Sequence, residues 1–443
     1  MQWAMKSFQL FRNIWSADTG FSHTLKTMVI SIGIVVINMA TGIITARGLA
    51  PTGRGDQSAM MIWSQFLPFI LTFGLPAALL YNMKRYKEER ASLFSASIVL
   101  GVMLGFVAIG IGVLFIPWWL QSSSHEVVMY AQWFLLQAPI VMLLLMNNAV
   151  LQVEGEFTLY NRLRYVPPFA TLVLLCVLMS SNRLTPVSVS LSYLIPTIPI
   201  VLWSTHHLLK RYGWKLLHFK RSCQRLFGYG IRSYGIDLLG NISNHLDKVI
   251  LVAFLSAKEL GLYVVALSLA RMVNIIYQSA ITVLFPKATG MAKEKVVDIT
   301  LTVFRISMFI GLCIALILTV IAPYVLVLLY GEAFAEAITI FQILLFDAVL
   351  AGGIMILAQA FMALNLPGKV TVTQGIGLSV TLPLVIVLEP LLGLVGAGAA
   401  VLIATCFRFV AIWLQYWFVL KVKVWKLFLL PQDVRWLFQQ LKR

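Results

Sequence analysis

Polar residues in this chain are largely confined to short stretches that separate apolar blocks of about twenty residues or more, and the blocks recur from Thr27 to Trp417. As a helix rising about 1.5 Å per residue, each block is long enough to cross a hydrocarbon core of about 30 Å. The pattern resolves into twelve spans, at 27–46, 58–83, 92–120, 127–152, 165–181, 187–209, 233–255, 260–285, 299–322, 335–363, 370–388 and 393–417. It predicts an all-α polytopic membrane protein.

The seventh span departs from the pattern. Its stretch NISNHLDKVI, residues 241–250, carries Asn241, Asn244, His245, Asp247 and Lys248 within about two turns. At about 100° per residue, Asp237, Asn241, Asn244 and Lys248 fall in one stripe about 60° wide over three turns, flanked by His245 and Asp247. A charge at the centre of a membrane helix costs about 2.5–3.5 kcal/mol on insertion scales, so the stripe is expected to face a wetted pathway rather than lipid. The competing reading is a polar seam sealed within its own bundle.

The eighth span supplies a facing surface. Arg271 is level with Asn244 when both are counted from the outer end, and Ser268, Asn274, Gln278 and Thr282 share its face. Asp347 falls midway along the tenth span and Arg408 somewhat inside the centre of the twelfth, whereas Lys26 and Arg305 are close enough to the inner edge to snorkel. Lys248, Arg271 and Arg408 are candidates to hold phosphate or an acidic sugar, and Asn241, Asn244, Asn274 and Gln278 to bond sugar hydroxyls. Asp237, Asp247, Asp347 and His245 are candidates for carrying a coupling ion or for pairing with the cations. The first half has no such cluster, only Asn38, Gln65, Asn147, Asn148 and Gln152.

Composition supports the membrane reading: 60% of residues are hydrophobic and 12% charged, with mean hydropathy +0.89, against roughly 25% charged in soluble domains. The net charge of +17 would suggest nucleic acid in a soluble protein, but here it is sided. With the N-terminus inside, 26 of the 34 Lys and Arg fall in cytoplasmic segments and only Arg47, Arg54, Arg183 and Lys258 in outer loops. This is the positive-inside signature, which places both termini in the cytoplasm. Basic residues spread over seven short segments form no single nucleic-acid-binding face.

No cleavable signal is evident in the first 26 residues. Phe8, Phe11 and Trp15, and in the tail Val434, Leu437, Phe438 and Leu441, read instead as the apolar sides of surface helices. Cys176, Cys223, Cys313 and Cys406 lack metal spacing or an evident disulfide pair, so no metal site or cofactor is expected.

A basic, aromatic stretch at 210–232 divides the chain six spans from six. The expected organisation is an N-terminal lobe at 1–209, a cytoplasmic linker at 210–232 lying along the anionic inner leaflet, a C-terminal lobe at 233–420 and a basic amphipathic tail at 421–443. The halves look related: LAPTGRG at 49–55 follows the first span as LSAKELG at 255–261 follows the seventh, both Leu-x5-Gly and 206 positions apart. An even number of spans per half makes this a parallel repeat about an axis along the membrane normal, with a cleft between the lobes. Pro68, Pro76, Pro139, Pro167, Pro168, Pro196, Pro199 and Pro383 put helix breakers into the spans, which suits lobes that rock. Extramembrane pieces of about 26 residues or fewer leave no room for a catalytic domain, so the chain does not read as an enzyme. Asn241-Ile-Ser243 fits a glycosylation sequon but lies inside a span, and Gly396-Ala-Gly398 reads as tight helix packing rather than a nucleotide loop.

The motifs LAPTGRGDQ at 49–57, FGLPAALLY at 73–81, LDKVILVAFLSAKELGLYVVALSLAR at 246–271, LLYGEAFAEA at 328–337 and GLVGAGAA at 393–400 occur in the order found in a known family. In these the chain resembles the polysaccharide-transporter branch of the multidrug, oligosaccharidyl-lipid and polysaccharide exporter superfamily, which includes the O-antigen flippases. The resemblance implies two six-helix lobes around a central cavity. It further implies movement of a polyprenyl-pyrophosphate-linked oligosaccharide, such as an O-antigen or exopolysaccharide repeat unit, from the inner to the outer leaflet of a bacterial inner membrane. An H⁺ or Na⁺ gradient would drive it by alternating access. The expected partners are the lipid-linked oligosaccharide, membrane lipids and a polysaccharide polymerase with its chain-length proteins, and no nucleic acid. Of the candidate residues, Asp247, Lys248 and Arg271 lie inside matched motifs. Rival readings are a drug or organic-cation exporter of the same superfamily, for which a net acidic cavity is expected, a non-transporting scaffold of a polysaccharide assembly complex, and a lipid-linked peptidoglycan-precursor flippase, disfavoured because that branch usually carries two additional spans.

Overall fold

The computed structural model describes residues 20–422, of which the side chains of 20–28, 232, 233, 235–247 and 286 lie outside the description. The predicted terminal surface helices, with Phe8, Phe11 and Trp15 at one end and Val434 to Leu441 at the other, lie outside the described residues. Every regular element among the described residues is helical. In chain order the α-helices are α1 Gly20–Ile70, α2 Leu75–Arg85, α3 Arg90–Trp119, α4 His125–Phe134, α5 Ala138–Glu154, α6 Phe157–Ser180, α7 Pro186–Leu194, α8 Thr197–Tyr212, α9 Phe219–Phe254, α10 Ala257–Ala270, α11 Asn274–Ala288, α12 Lys293–Tyr330, α13 Ile338–Ala363 and α14 Pro367–Phe418.

Nine helical segments among the described residues are long and apolar enough to cross a membrane. Two long helices, α1 and α14, each contain one distinctly non-helical residue. Ala50 takes φ 55° immediately before Pro51, where the proline ring disfavours α geometry for its predecessor. Gly393 takes φ 55° and ψ −137°, a conformation that a residue without Cβ adopts at little cost. Helix breaks also follow several of the prolines. Leu71–Gly74 forms a turn between Pro68 and Pro76, and a 3₁₀ turn at Leu135–Gln137 precedes Pro139. The α7/α8 junction falls at Pro196, whereas Pro167 and Pro168 sit inside an unbroken α6.

The chain divides into two compact units. The first holds the described residues up to Leu49 with Trp63–Pro117 and Val128–Tyr234; the second holds Ala50–Ile62, Trp118–Val127 and the described residues from Gly235 onward. Two stretches of the first half of the sequence, 50–62 and 118–127, therefore belong to the second unit.

In the first unit Leu75, Leu79, Met83, Phe94, Met146, Val150 and Leu226 form a buried core. The stretch expected to be a separate linker belongs to this unit, and from Phe219 it is the beginning of α9. Arg225 stacks over the Tyr86 ring at 3.7 Å and pairs with Glu89, and Tyr229 stacks on Tyr81 at 4.1 Å. A Cβ on Gly74 would lie 2.4 Å from the Gly230 carbonyl oxygen, so the backbones touch there. Leu226, an apolar residue inside a basic run, is fully buried and anchors the stretch. Trp214 and Leu217 stay exposed beside Lys215 and Lys220, the face expected toward anionic lipid.

The second unit is built on α12, α13 and α14, with Phe304, Phe341, Phe361 and Tyr416 in its core. Tyr416 donates its hydroxyl to the Leu357 carbonyl at 2.8 Å and meets Phe361 edge to face. The Gly-rich GLVGAGAA motif is a packing device, as expected: a Cβ on Gly396 would lie 2.0 Å from the Leu388 carbonyl oxygen and one on Gly398 2.0 Å from Ile340 Cδ1.

Candidate functional site

The second unit gathers the described members of the intramembrane polar set. Lys248 is half-buried on α9. The backbone at Asp237, Asn241, Asn244, His245 and Asp247 is helical within α9, but their side chains lie outside the described residues. The predicted stripe is thus represented by Lys248 alone.

Arg271 stands at a discontinuity. The span that begins at Ala257 and ends at Phe285 changes from α to 3₁₀ over Arg271–Val273 and back to α at Asn274. No proline or glycine lies within this turn. A mid-helix 3₁₀ stretch tightens the coil and commonly marks a functional or strained position. Arg271 and Asn274 are half-buried and Gln278 is exposed, while Asn274 Oδ1 is buried without a hydrogen-bond partner. Arg271, Lys248 and Asp347 all have polar or electrostatic partners.

The 3₁₀ turn packs against α13. Tyr277 is level with Gly352 of α13, because a Cβ there would lie 2.1 Å from Tyr277 Cδ2. Arg271 precedes Tyr277 by six residues and Asp347 precedes Gly352 by five. At about 1.5 Å per residue these offsets are about 9 and 7.5 Å in the same direction, so Arg271 and Asp347 occupy one depth on adjacent helices. Asp347 is 7% exposed.

Arg408 is packed within the unit. Its aliphatic stem fills the groove left by Gly377, where a Cβ would lie 2.3 Å from Arg408 Cδ, and its Nη2 donates to Thr405 Oγ1. Arg305, expected to snorkel, is instead 7% exposed and donates from Nη2 to Thr302 Oγ1 at 3.2 Å. Neighbouring helices cover this position near the span end, which a one-dimensional depth estimate cannot register.

Polar residues of the first half are used for packing. Asn147 is fully buried and donates from Nδ2 to Ser204 Oγ and Thr205 Oγ1, each at 2.8 Å, clipping α5 to α8. Gln137, at the 3₁₀ turn, donates to the buried Ser64 hydroxyl. Where the start of α3 meets the ends of α5 and α8, Glu154 accepts from Arg90 and Arg211, each at 2.8 Å, and from the Tyr212 hydroxyl. This network lay hidden because its members are scattered over 120 positions in the sequence. No group of three or more His, Cys, Asp or Glu arranged to hold a metal occurs among the described residues.

Apolar helices long enough to cross a membrane, with charged residues between their ends, define a polytopic membrane protein. Solved structures of similar fold agree. The lipid II flippase MurJ in an inward closed conformation aligns with a TM-score of 0.75 at 13% identity, covering 91% of this chain and 89% of that one. An inward-facing multidrug resistance MATE family transporter of the MOP superfamily aligns at 0.66 and 17% identity, covering 87% and 96%. A MOP superfamily transporter from Pyrococcus furiosus Vc1 (DSM3638), described by the reverse polarity of its binding pocket, aligns at 0.56 and 16% identity, covering 88% and 92%. The fold is therefore the two-lobe, all-helical architecture shared by the lipid II flippase and the MATE transporters. Residues 44–339 match the family described as polysaccharide biosynthesis protein, and the chain belongs to that family. No curated protein matches the chain.

Proposed function

We propose that this protein is a flippase that carries a polyprenyl-pyrophosphate-linked oligosaccharide from the cytoplasmic to the outer leaflet of a bacterial inner membrane. The observation that carries the reading is membership of the polysaccharide biosynthesis family over residues 44–339, in a chain whose fold is that of membrane transporters. The reading takes α1 as two crossings divided at Ala50, α14 as two divided at Gly393 and the outer part of α9 as one more, for twelve in all with both termini inside; the sidedness of Lys and Arg supports it. The protein acts without catalytic chemistry: sugars and pyrophosphate cross in a wetted passage while the polyprenyl tail stays in lipid.

Arg271 and Lys248 are the residues assigned to the pyrophosphate or an acidic sugar, because a guanidinium offers paired donors to phosphate oxygens and both cations lie in the family-matched stretch. Asn274, whose Oδ1 is buried without a partner, and the exposed Gln278 suit sugar hydroxyls. Asp347, level with Arg271, is assigned to the coupling ion or to pairing with Arg271, and H⁺ or Na⁺ is the coupling ion. Arg408 belongs to the same set by position, although its stem is committed to Gly377. Asp237, Asn241, Asn244, His245 and Asp247 keep the roles given by their stripe.

Deleting the gene and analysing lipid-linked sugars tests the reading. Accumulated, cytoplasm-facing oligosaccharide intermediate is the expected result; an unchanged lipid pool with new drug sensitivity would transfer the protein to the drug-exporter class. Arg271→Ala is expected to stop export at near-normal abundance. The exchange Arg271→Asp with Asp347→Arg separates the two roles of the arginine: export restored by the swap would make the pair structural, and export still absent supports contact with substrate.

A further inference from the structure

The first unit carries an exposed aromatic platform beside an arginine that no acid neutralises. On α2, Tyr81 and Arg85 lie one turn apart on one face, and Arg85 Nη1 donates to the Tyr81 hydroxyl at 2.7 Å. On α9, Tyr229 lays its ring on that of Tyr81, with centroids 4.1 Å apart and planes within 10° of parallel. The Arg85 guanidinium carbon stands 5.9 Å from the Tyr81 ring centre and 5.5 Å from that of Tyr86. Tyr81, Lys84, Arg85 and Tyr229 are all exposed. Four other arginines of this unit are committed to carboxylates, Arg90 and Arg211 to Glu154 and Arg221 and Arg225 to Glu89. Arg85 instead has the two tyrosines as neighbours and pairs with no carboxylate among the described residues.

The platform is fixed from beneath by main-chain contacts. A Cβ on Gly230 would lie 2.6 Å from the Phe73 carbonyl oxygen, so α9 runs against the start of α2 with no side chain between. Asn82, buried on α2, donates from Nδ2 to the Ala78 carbonyl at 2.8 Å and to the Arg225 carbonyl of α9 at 3.3 Å. The two tyrosines therefore project from helices whose spacing is already set, which is what holds a binding constellation in place. Rings used only for packing are treated differently in this chain: Tyr263, Tyr277 and Tyr416 are fully buried.

A flat π-face beside a guanidinium and an ammonium suits a ligand of two parts. A sugar ring packs its C–H face on an aromatic ring, and a phosphate takes N–H donors from Arg85 and charge from Lys84. Sugar alone leaves the cations unused, and phosphate alone leaves the rings unused. We propose that Tyr81, Tyr229 and Arg85 form a binding site for a sugar phosphate, where the phosphorylated head of the lipid-linked oligosaccharide first docks. The sidedness of Lys and Arg reads this end of α2 as cytoplasmic, the side from which the substrate comes. The proposal rests on the flippase reading given above and adds a docking place in the first unit, whereas Arg271 belongs to the second.

The probe is N-acetylglucosamine linked through pyrophosphate to a farnesyl chain, titrated into purified, folded Arg271→Ala protein in detergent so that binding in the second unit is weakened. Saturable binding is expected. Adding Tyr229→Leu or Arg85→Gln should weaken it roughly tenfold, the size of one lost stacking or charge-assisted contact, whereas Tyr229→Phe keeps the ring and should bind as before. Farnesyl pyrophosphate, which lacks the sugar, should respond to Arg85→Gln but not to Tyr229→Leu. Probe binding that is absent, or that is unchanged by both Tyr229→Leu and Arg85→Gln, would overturn the proposal. Displacement of the probe by phosphatidylglycerol at equal concentration would also overturn it, making the platform a contact for membrane lipid. If deletion of the gene leaves lipid-linked sugars unchanged, the flippase reading fails, while dependence of probe binding on the ring and the arginine still reports on the platform.

Discussion

Tyr277 is the sharpest place to test the packing of the second unit. Its ring is fully buried between α12 and α13, held by a glycine on each. A Cβ on Gly311 would meet the hydroxyl oxygen at 2.0 Å and Cζ at 2.9 Å; one on Gly352 would meet ring atoms Cδ2, Cε2 and Cγ at 2.1, 2.3 and 2.5 Å. Ordinary carbon contacts lie at about 3.5–4.0 Å, so either alanine requires a displacement of more than an ångström in a close-packed bundle. Overpacking of this kind costs about 1–3 kcal/mol, against which the gain in helix propensity from Gly to Ala returns about 1 kcal/mol. The clash is larger because the ring has no open side, so both variants are expected to lower the apparent Tm in detergent.

The hydroxyl separates the two sites. It is buried with no hydrogen-bond partner, and leaving such a group unsatisfied costs about 1–3 kcal/mol. Tyr277→Phe is therefore expected to be neutral or stabilising. Because the hydroxyl oxygen is the nearest atom to Gly311 but not among those nearest Gly352, Tyr277→Phe should recover most of the loss from Gly311→Ala and almost none of that from Gly352→Ala. Thermal denaturation of the parent, the three single variants and the two doubles gives both coupling energies directly. Equal coupling at the two glycines, or a Tyr277→Phe variant less stable than the parent by more than about 1 kcal/mol, would refute the placement of the ring.

Other outcomes follow from the same geometry. Asn147→Ala removes two buried hydrogen bonds of 2.8 Å and should destabilise the first unit by about 1–3 kcal/mol, read as a lower apparent Tm and lower abundance. Glu154→Gln weakens a partly exposed network with Arg90 and Arg211, so the loss should be about 1 kcal/mol or less and should shrink when the melt is repeated at high salt. Glu336→Gln breaks an exposed pair with Lys258 and should change the melting point within about 0.5 kcal/mol of parent stability. Gly377→Ala drives a Cβ into the Arg408 stem and should destabilise, with Arg408→Ala as its suppressor in the same melting assay.

Several features were legible along the chain because one-dimensional physics carries them. A bilayer imposes a length and a polarity on every crossing, so hydropathy reads spans directly, whereas the bend at Ala50 before Pro51 was not among the breaks read from the sequence. The Gly-rich motif at 393–400 could be read as packing since no strand precedes it. Arg305 was misread, because depth from the span end says nothing about which neighbours cover a side chain. The break at Arg271 carried no sequence signal: neither glycine nor proline lies in the turn.

What the sequence by itself determined was membrane character and an all-helical class. These depend on how each segment partitions between water and lipid, a property of composition over about twenty residues. Only the tertiary structure decided which glycine faces which carbonyl, that Arg271 and Asp347 share a depth, that residues 50–62 and 118–127 join the second unit, and that Asn147 is a clip within the first. Those relations are distances between residues far apart in the chain. They are set by the mutual packing of helices whose lipid-facing surfaces are chemically alike, so composition leaves no trace of them.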